Sequence, residues 1–401
     1  MNAATYFRQT DFLTADSFTQ TRPRVDSKLP KVGTTIFTKM SALATEHKAV
    51  NLGQGFPDFD CDPQLVNDVT RAMQSSFNQY PPMAGVPLLR QRTADKIAAL
   101  YGCQYDWNNE VTITSGATQA ILTAILAVVH AGDEVIVIEP SYDSYVPNIE
   151  LAGGIPVFVQ MTDAYRVPWD KVAAAVTPKT RVIISNTPHN PSGMIFGLQD
   201  LQQLEAIAVA HDLIVISDEV YEHMVFDGQP HLSVSSYPAL AARSFVVSSF
   251  GKTFHVTGWK IATCVAPAEL MAEFRKVHQF NVFTTNTPMQ HGLADYMSDA
   301  QRYLGLPAFY QRKRDVFRKG LAQTRFRLFP SEGTFFQLVD YSAISSLPEV
   351  EFAQWLTKEV GVAAIPMSAF YDVPEEHGVI RFCFAKKEET LSLALERLAR
   401  L

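Results

Sequence analysis

Apolar residues in the middle of the chain fall into two kinds of segment: short continuous runs and longer stretches with helical spacing. The short runs are rich in branched residues and are predicted to be strands at 134–138, 181–185, 213–217, 244–248 and 261–265. Residues 116–130 and 198–210 repeat apolar side chains at helical spacing and are predicted to be helices. Apolar strands that alternate with helices indicate a mostly parallel sheet buried on both faces. The pattern therefore predicts an α/β sandwich, in which ligands bind beside the carboxyl ends of the strands.

The last third of the chain has a different order of elements. Helical spacing at 308–324, 351–359 and 388–401 alternates with strand-like runs at 335–339, 362–365 and 379–384. We interpret this region as a smaller α+β domain, formed by residues 28–47 and 290–401, beside a large domain at 48–289. Residues 1–27 are polar and are predicted to form an N-terminal arm, with a place on a partner subunit as its suggested role.

Composition narrows the class of protein. The chain has 401 residues, of which 47% are hydrophobic and 19% charged, so its core is large enough to need neither disulfides nor metals. A net charge of −7 disfavours nucleic acid as the main partner. The four cysteines are far apart and are predicted to be reduced thiols of a cytoplasmic protein. No apolar run reaches the ~18 residues of a membrane span, and the N-terminus lacks the apolar region of a secretory signal.

Lys252 follows the predicted strand at 244–248, in the segment SSFGKTFHVTGWK. An isolated lysine usually lies on the surface, but the small and apolar neighbours predict that this one is buried. Burial and a nearby cation lower the pKa of an amine, which can then attack an aldehyde. Lys260 is the predicted second cation, and Ser249 and Lys260 together are suited to a phosphate dianion.

The segment TSGATQA at 114–120 leads into the predicted helix at 116–130. Small residues at a helix start leave backbone N–H groups exposed, and the helix dipole adds positive potential, so a phosphate can bind there. The alternative is an ordinary N-cap at Thr114 or Ser115. Neither a P-loop nor GxGxxG is present, and nucleotide binding therefore has little support.

Asp218 ends the predicted strand at 213–217, in the segment ISDEVYEH. A buried carboxylate needs a cation or a hydrogen-bond donor, and a protonated pyridine nitrogen is one such partner. Tyr221 lies three residues further on and is predicted to reach the same ligand. The alternative is an aspartate that only caps a helix.

Three other segments add polar or aromatic groups. The turn SNTPHNPSG aims the Asn190 amide at a ligand, and EPSYDSY offers Tyr142 to stack on a flat ring. Arg381, inside the apolar strand of GVIRFCFAK, suits a substrate carboxylate bound through two hydrogen bonds. The alternatives are that Asn190 only stabilises the turn, that Tyr142 only packs within its loop, and that Arg381 extends its guanidinium to solvent.

Taken together, the strand ends offer a phosphate cradle, an aromatic ring, an amide, a carboxylate and a lysine. These are the groups that pyridoxal phosphate needs.

The segments TSGATQA, NTPHNPSG, SDEVYEH and SSFGKTFHVTGWK together resemble the class I aminotransferases of the aspartate aminotransferase fold. NLGQGFPDF, NQYPPMAG and CFAK resemble the methionine and kynurenine/glutamine aminotransferase subgroup more closely. The resemblance covers residues 28–401. It implies a fold type I pyridoxal-phosphate enzyme whose large domain holds a mostly parallel seven-stranded sheet between helices.

The resemblance also implies a role for each candidate residue. Lys252 should hold the cofactor as a Schiff base, with Asp218 pairing the pyridinium nitrogen and Tyr221 assisting catalysis. The other implied cofactor contacts are Ala117, Thr118, Tyr142, Asn190, Ser249, Lys260 and, from the neighbouring subunit of a homodimer, Tyr80. The implied substrate contacts are Arg381, Asn190, Gly55 and Phe56. Lys260 stands where many relatives have arginine, so it keeps the charge and loses the planar fork.

The predicted activity is a ping-pong transfer of an amino group from an amino acid to a 2-oxo acid. No second arginine stands out for a side-chain carboxylate, so aspartate is disfavoured as substrate. Phe56, Tyr80, Tyr142 and Phe283 are predicted to favour methionine, phenylalanine, histidine or kynurenine. The alternative activity is a cysteine-conjugate or cystathionine β-lyase with the same cofactor. A regulator would need a DNA-binding domain, and a dehydrogenase would need GxGxxG, and neither feature is present.

Overall fold

The structure is a computed structural model that describes residues 25–401. Most of the predicted arm at 1–27 therefore lies outside the described residues. Internal contacts place residues 25–33 in a different unit from residues 34–401, and all the helices and strands of the described residues belong to the second unit. Within residues 25–401, no helix combines the length and the apolar character needed to cross a bilayer.

The strands are β1 (Val50–Asn51), β2 (Val111–Thr114), β3 (Glu134–Glu139), β4 (Ile155–Gln160), β5 (Thr180–Asn186), β6 (Ile214–Asp218), β7 (Ser244–Ser249), β8 (Ala262–Val265), β9 (Arg327–Leu328), β10 (Phe336–Asp340), β11 (Val362–Ala363), β12 (Ile365–Pro366) and β13 (Val379–Cys383). The α-helices are α1 (Ile36–Glu46), α2 (Pro63–Gln74), α3 (Pro87–Tyr101), α4 (Ala117–Val128), α5 (Tyr145–Leu151), α6 (Trp169–Ala174), α7 (Leu198–Ala210), α8 (Pro238–Ala241), α9 (Phe250–Thr253), α10 (Ala268–Asn281), α11 (Thr287–Tyr296), α12 (Gln301–Leu304), α13 (Leu306–Leu321), α14 (Glu349–Trp355) and α15 (Glu388–Leu398).

A seven-stranded sheet in the order β2-β8-β7-β6-β5-β3-β4 forms the centre of the fold. Neighbouring strands from β7 to β4 are parallel, and β8 is antiparallel to both β2 and β7. The predicted mostly parallel sheet is thus confirmed. All five predicted strands belong to it, while β2 and β4 were not among them.

Alternate residues of the central strands point to opposite faces of this sheet. Ile136 packs with α7 residues on one face, and its neighbours Val135 and Val137 pack with α4 residues on the other. Both faces are covered by helices, because every apolar residue of a parallel strand must be buried on one side or the other. Polar side chains are therefore concentrated at the strand ends.

A second sheet, in the order β12-β13-β10-β9, is antiparallel, and β1 and β11 form a separate parallel pair. The predicted single strand at 362–365 is wrong. Its first half, β11, pairs with β1, and its second half, β12, pairs with β13. An apolar run specifies burial but not the pairing partner, so this change of partner is invisible in the sequence. The predicted division into a large and a small domain stays a prediction.

Candidate active site

Three neighbouring parallel strands end at one cavity of about 300 Å³. Asn186, Asp218 and Ser249 are the last residues of β5, β6 and β7, and all three line this cavity. Asn186 and Asp218 are paired across the ladder, which fixes their relative height. The carboxyl edge of the sheet thus forms the floor of the site, as expected for an open α/β sheet.

The structure brings together all the predicted site residues except Tyr80 and Phe283. The lining includes Gly55, Phe56, Ala117, Thr118, Tyr142, Asn190, Asp218, Tyr221, Ser249, Lys252, Lys260 and Arg381. These residues come from segments that lie more than three hundred positions apart along the chain. Packing of the two ends of the sequence against each other therefore completes the cavity.

Lys252 lies in the single turn of α9, directly after β7. Its Nζ donates to the carbonyl of Gly55 at 2.8 Å and lies 5.4 Å from the ring centroid of Tyr221. The residue stays partly accessible because it opens into the cavity. Burial lowers the pKa of the Lys252 amine to about 8, and the positive charges of Arg381 and Lys260 contribute to the decrease.

Asp218 is buried, with 3% of its surface exposed. Its Oδ2 accepts a hydrogen bond from the Tyr145 hydroxyl at 2.7 Å, and its Oδ1 accepts one from the Val220 amide at 3.3 Å. Burial raises the pKa of Asp218 to about 6, and these two donors limit the increase. The segment after Asp218 is a turn, so the helix-capping alternative is wrong.

The N-terminus of α4 opens into the same cavity. Its N-cap is Gly116, with φ 82° and no capping side chain, so the alternative N-cap at Thr114 or Ser115 is wrong. A Cβ on Gly116 would lie 2.9 Å from both Cε and Nζ of Lys260, which places the ammonium group at the helix start. The first N–H groups of a helix have no carbonyl partner within it, and here a cation stands beside them. This arrangement is suited to an anion.

Arg381 lies in the middle of β13 and is 2% exposed. Its Nη1 donates to Asn190 Oδ1 at 2.7 Å and its Nη2 to the carbonyl of Gly53 at 3.3 Å, while the guanidinium stacks 3.8 Å from the ring centroid of Phe336. Its Nε is buried without a partner among the described residues. Burial lowers the pKa of Arg381 to about 10, so the group stays charged and can receive a carboxylate.

Several residues of the site were not predicted from the sequence, among them Phe37, Asp143 and Phe336 of the lining, and two others fix the predicted groups in place. The Tyr145 hydroxyl donates to the Asp218 carboxylate. The Asn186 side chain donates from Nδ2 to the backbone carbonyl of Asp218 at 2.8 Å and accepts at Oδ1 from the backbone N–H of Asn190 at 2.8 Å. Both lie in the strand-end segments that supplied Tyr142 and Asn190. Their position in a strand-end segment was the sequence signal that could have found them. It did not single them out, because the direction of each side chain in a loop depends on the folded backbone.

Tyr80 does not line the cavity of its own chain. It is 81% exposed, and its ring meets that of Phe283 at 5.3 Å between centroids, on the surface. Phe283, also predicted to line the substrate pocket, is not among the lining residues either. Phe56 and Tyr142 do line it.

The fold is an α/β fold, and one cavity combines the amine of Lys252, the buried carboxylate of Asp218, the N-terminus of α4 and the buried guanidinium of Arg381. This combination is typical of enzymes that act on amino acids. The chain belongs to the family described as aminotransferase class I and II, which residues 47–398 match. It is 52% identical over 377 residues to the methionine aminotransferase of Escherichia coli strain K12, an alignment that covers 94% of this chain and 98% of that protein.

Two further comparisons agree. The solved structure of an Escherichia coli protein with a methionine aminotransferase function superposes with a TM-score of 0.93 at 51% identity, covering 95% of this chain and all of that one. Kynurenine–oxoglutarate transaminase 1 of Rattus norvegicus is 33% identical over 409 residues, covering 93% of this chain and 97% of that protein. The predicted aminotransferase family, fold and enzyme class are confirmed, and the β-lyase alternative is not favoured.

Proposed function

We propose that the protein binds pyridoxal phosphate and transfers an amino group from an apolar or aromatic amino acid, methionine foremost, to a 2-oxo acid. The observation that carries this proposal is the convergence of Lys252, Asp218 and Arg381 on one cavity. Each of these groups has a separate task in amino-group transfer, and each has the burial and charge state that the task requires.

The residues of the cavity fit pyridoxal phosphate. The N-terminus of α4, with Lys260 and Ser249, is suited to the phosphate. Asp218 is a buried carboxylate that forms no salt bridge among residues 25–401, and the pyridinium would supply one. Tyr142 supplies a ring face, with its hydroxyl 3.4 Å from Thr118 Oγ1. When bound, this cofactor supplies an aldehyde that condenses with amines and a ring that accepts an electron pair.

The protein's own residues then perform three tasks. Arg381, held by Asn190, binds the substrate carboxylate and so orients the Cα–H bond. Lys252, whose pKa of about 8 leaves part of the amine neutral near neutral pH, would take the proton from the substrate Cα and deliver it to the C4′ carbon of the bound cofactor. Tyr221 and Asn190, which line the cavity, would form hydrogen bonds with the ring oxygen of the bound cofactor.

The composition of the cavity supports an apolar or aromatic side chain on the substrate. Phe37, Phe56 and Tyr142 line it, and Arg381 is the one arginine among the lining residues that the structure describes. A dicarboxylic substrate would need a second fixed cation for its side chain. The Escherichia coli and rat relatives act, by their names, on methionine and on kynurenine, which agrees with this preference.

The test mixes the purified, cofactor-loaded protein with single amino acids and follows the absorbance of the bound cofactor, then measures the 2-oxo acid formed. Methionine and aromatic amino acids should react fastest and aspartate slowest. Lys252→Ala should abolish turnover, and near-normal transamination by this variant would contradict the proposal. Release of pyruvate and ammonia from a cysteine conjugate, without exchange between 2-oxo acids, would favour the β-lyase instead.

We also propose that the protein acts as a homodimer with shared sites, in the cytoplasm. The rings of Tyr80 and Phe283 contact each other at the surface, and Phe280, three positions before Phe283, is 89% exposed. Exposed aromatic side chains such as these suit burial against a second copy. Mixed dimers of Tyr80→Ala and Lys252→Ala subunits test this arrangement. If Tyr80 completes the partner's site, each mixed dimer contains one intact site and regains activity. If Tyr80 acts within its own subunit, or not at all, no such gain occurs.

A further inference from the structure

Lys386 lies just beyond β13 and is 3% exposed. Its Nζ donates to the carbonyl of Phe56 at 2.8 Å and to that of Gln54 at 3.4 Å, and lies 5.2 Å from the Phe56 ring centroid. The ammonium group thus meets carbonyl oxygens and a ring face. A buried ammonium group is costly unless such acceptors are held in place for it. Lys386 and the loop that carries those carbonyls therefore constrain each other.

That loop, residues 53–56, directs successive carbonyls toward cations of the site. The Gly53 carbonyl accepts from Arg381 Nη2 at 3.3 Å, and the Gly55 carbonyl accepts from Lys252 Nζ at 2.8 Å. The remaining two carbonyls, of Gln54 and Phe56, are those that Lys386 holds. Lys386 is the one of these three cations that does not line the cavity.

The loop is also packed tightly enough to transmit a displacement. The amides of Gly53 and Gln54 donate to Asn51 Oδ1 at 3.0 and 3.3 Å, which fixes the entry to the loop. A Cβ on Gly55 would lie 3.0 Å from Cζ of Phe336, the same ring on which Arg381 stacks. Beyond the loop, the Asp58 carboxylate accepts from the Lys387 amide at 2.6 Å and from the Thr390 hydroxyl at 2.7 Å. Loss of the Lys386 contacts would therefore free the carbonyls of Gln54 and Phe56 between two segments that stay held.

We propose that Lys386 is a positioning residue: by holding the carbonyls of Gln54 and Phe56, it fixes the Gly55 carbonyl that orients the Lys252 amine and the Phe56 ring that lines the substrate pocket. An amine that donates one N–H to a fixed carbonyl has its lone pair directed elsewhere, and the cavity is the open side. The proposal rests on the proposed aminotransferase function, in which that lone pair accepts the Cα proton.

The test compares Lys386→Met, which keeps the length of the side chain and removes its donors, with Lys386→Arg, which keeps a cation. Lys276→Met is the matched control for loss of charge, because Lys276 is 69% exposed and pairs with Glu273 on the surface. For the cofactor-loaded proteins, kcat and KM are measured with methionine and with methionine deuterated at Cα. Hydrogen–deuterium exchange of the peptide that spans 51–58, cofactor affinity and the unfolding temperature are measured in parallel.

We expect Lys386→Met to exchange faster across 51–58 and to lose roughly 10- to 100-fold in kcat/KM, because a misplacement of about 1 Å near the reacting atoms costs that much. Its deuterium isotope effect on kcat should increase, since proton transfer becomes slower relative to the other steps. Cofactor affinity should change little, and Lys386→Arg should recover part of the loss.

Three results would overturn the proposal. Exchange across 51–58 that matches the wild-type protein would show that Lys386 does not fix the loop. An unchanged isotope effect would show that the loop does not orient Lys252. A loss of activity that only follows cofactor release or unfolding would reduce Lys386 to a structural residue. Failure of the wild-type protein to exchange amino groups would instead refute the proposed function, and the exchange measurement would still test the loop.

Discussion

Tyr145→Phe removes a single hydroxyl group from the wall of the site. Tyr145 is 3% exposed, and its hydroxyl donates to Asp218 Oδ2 at 2.7 Å. A hydrogen bond to a charged acceptor contributes about 1.5–3 kcal/mol, and one unit of pKa corresponds to about 1.4 kcal/mol. Loss of this bond should therefore raise the pKa of Asp218 by roughly 1–2 units relative to the wild-type protein in the same cofactor-bound state.

The pH dependence of kcat/KM reports this change. The proposed function needs Asp218 as a carboxylate, so activity is lost as the pH falls through the pKa of that group. A higher pKa moves the acidic limb of the profile upward by about 1–2 pH units in Tyr145→Phe and leaves the basic limb in place. Tyr105→Phe is the matched control, because Tyr105 is also buried but donates to or accepts from Ser235, outside the cavity. An acidic limb that overlays the wild-type profile, or an equal shift in the control, would refute the reasoning.

Two other predictions concern the free energy of unfolding, measured from denaturant midpoints. Lys96 Nζ pairs with Glu222 Oε1 at 2.5 Å, and both residues are buried. Lys96→Met should cost about 3–5 kcal/mol, because the buried carboxylate loses its cation and keeps only the hydroxyl donors Tyr101 and Ser248. Adding Glu222→Gln should recover most of that loss, and an equally unstable double variant would contradict this explanation. Gly292→Ala should also destabilise, because the new Cβ would lie 2.8 Å from the backbone nitrogen of Val69. The free-energy cost of overpacking, about 1–3 kcal/mol, exceeds the gain in helix propensity, which is up to about 1 kcal/mol. A stabilised variant would be evidence against that close contact.

The central part of the site was predictable because the sequence of a buried parallel strand has a simple form. The runs that lead to Asp218 and Lys252 are continuously apolar, since both faces of β6 and β7 are covered. The polar residue that follows such a run lies at the carboxyl edge of the sheet. Parallel strands bring these edges together, so the sequence alone predicts that Asp218 and Lys252 lie near each other.

Elements with a less regular environment were harder to predict. β4 is the edge strand, its burial is incomplete and it contains Pro156, so its pattern does not resemble that of its neighbours. The run at 362–365 is buried throughout, yet it divides between two sheets. The composition of a segment indicates whether it is buried, whereas its pairing partner depends on the path of the whole chain.

The family, the strand-end location of the site and its main charged groups could be predicted from the order of residues alone. How those groups are held became visible only in the folded chain: Tyr145 contacts Asp218, and Lys386 contacts the loop that contacts Lys252. These contacts join residues that are distant along the chain, 73 positions apart in one case and 330 in the other. Local pattern specifies which face of an element is buried. The atoms that meet across a cavity follow from how the completed elements pack, and no local pattern records that packing.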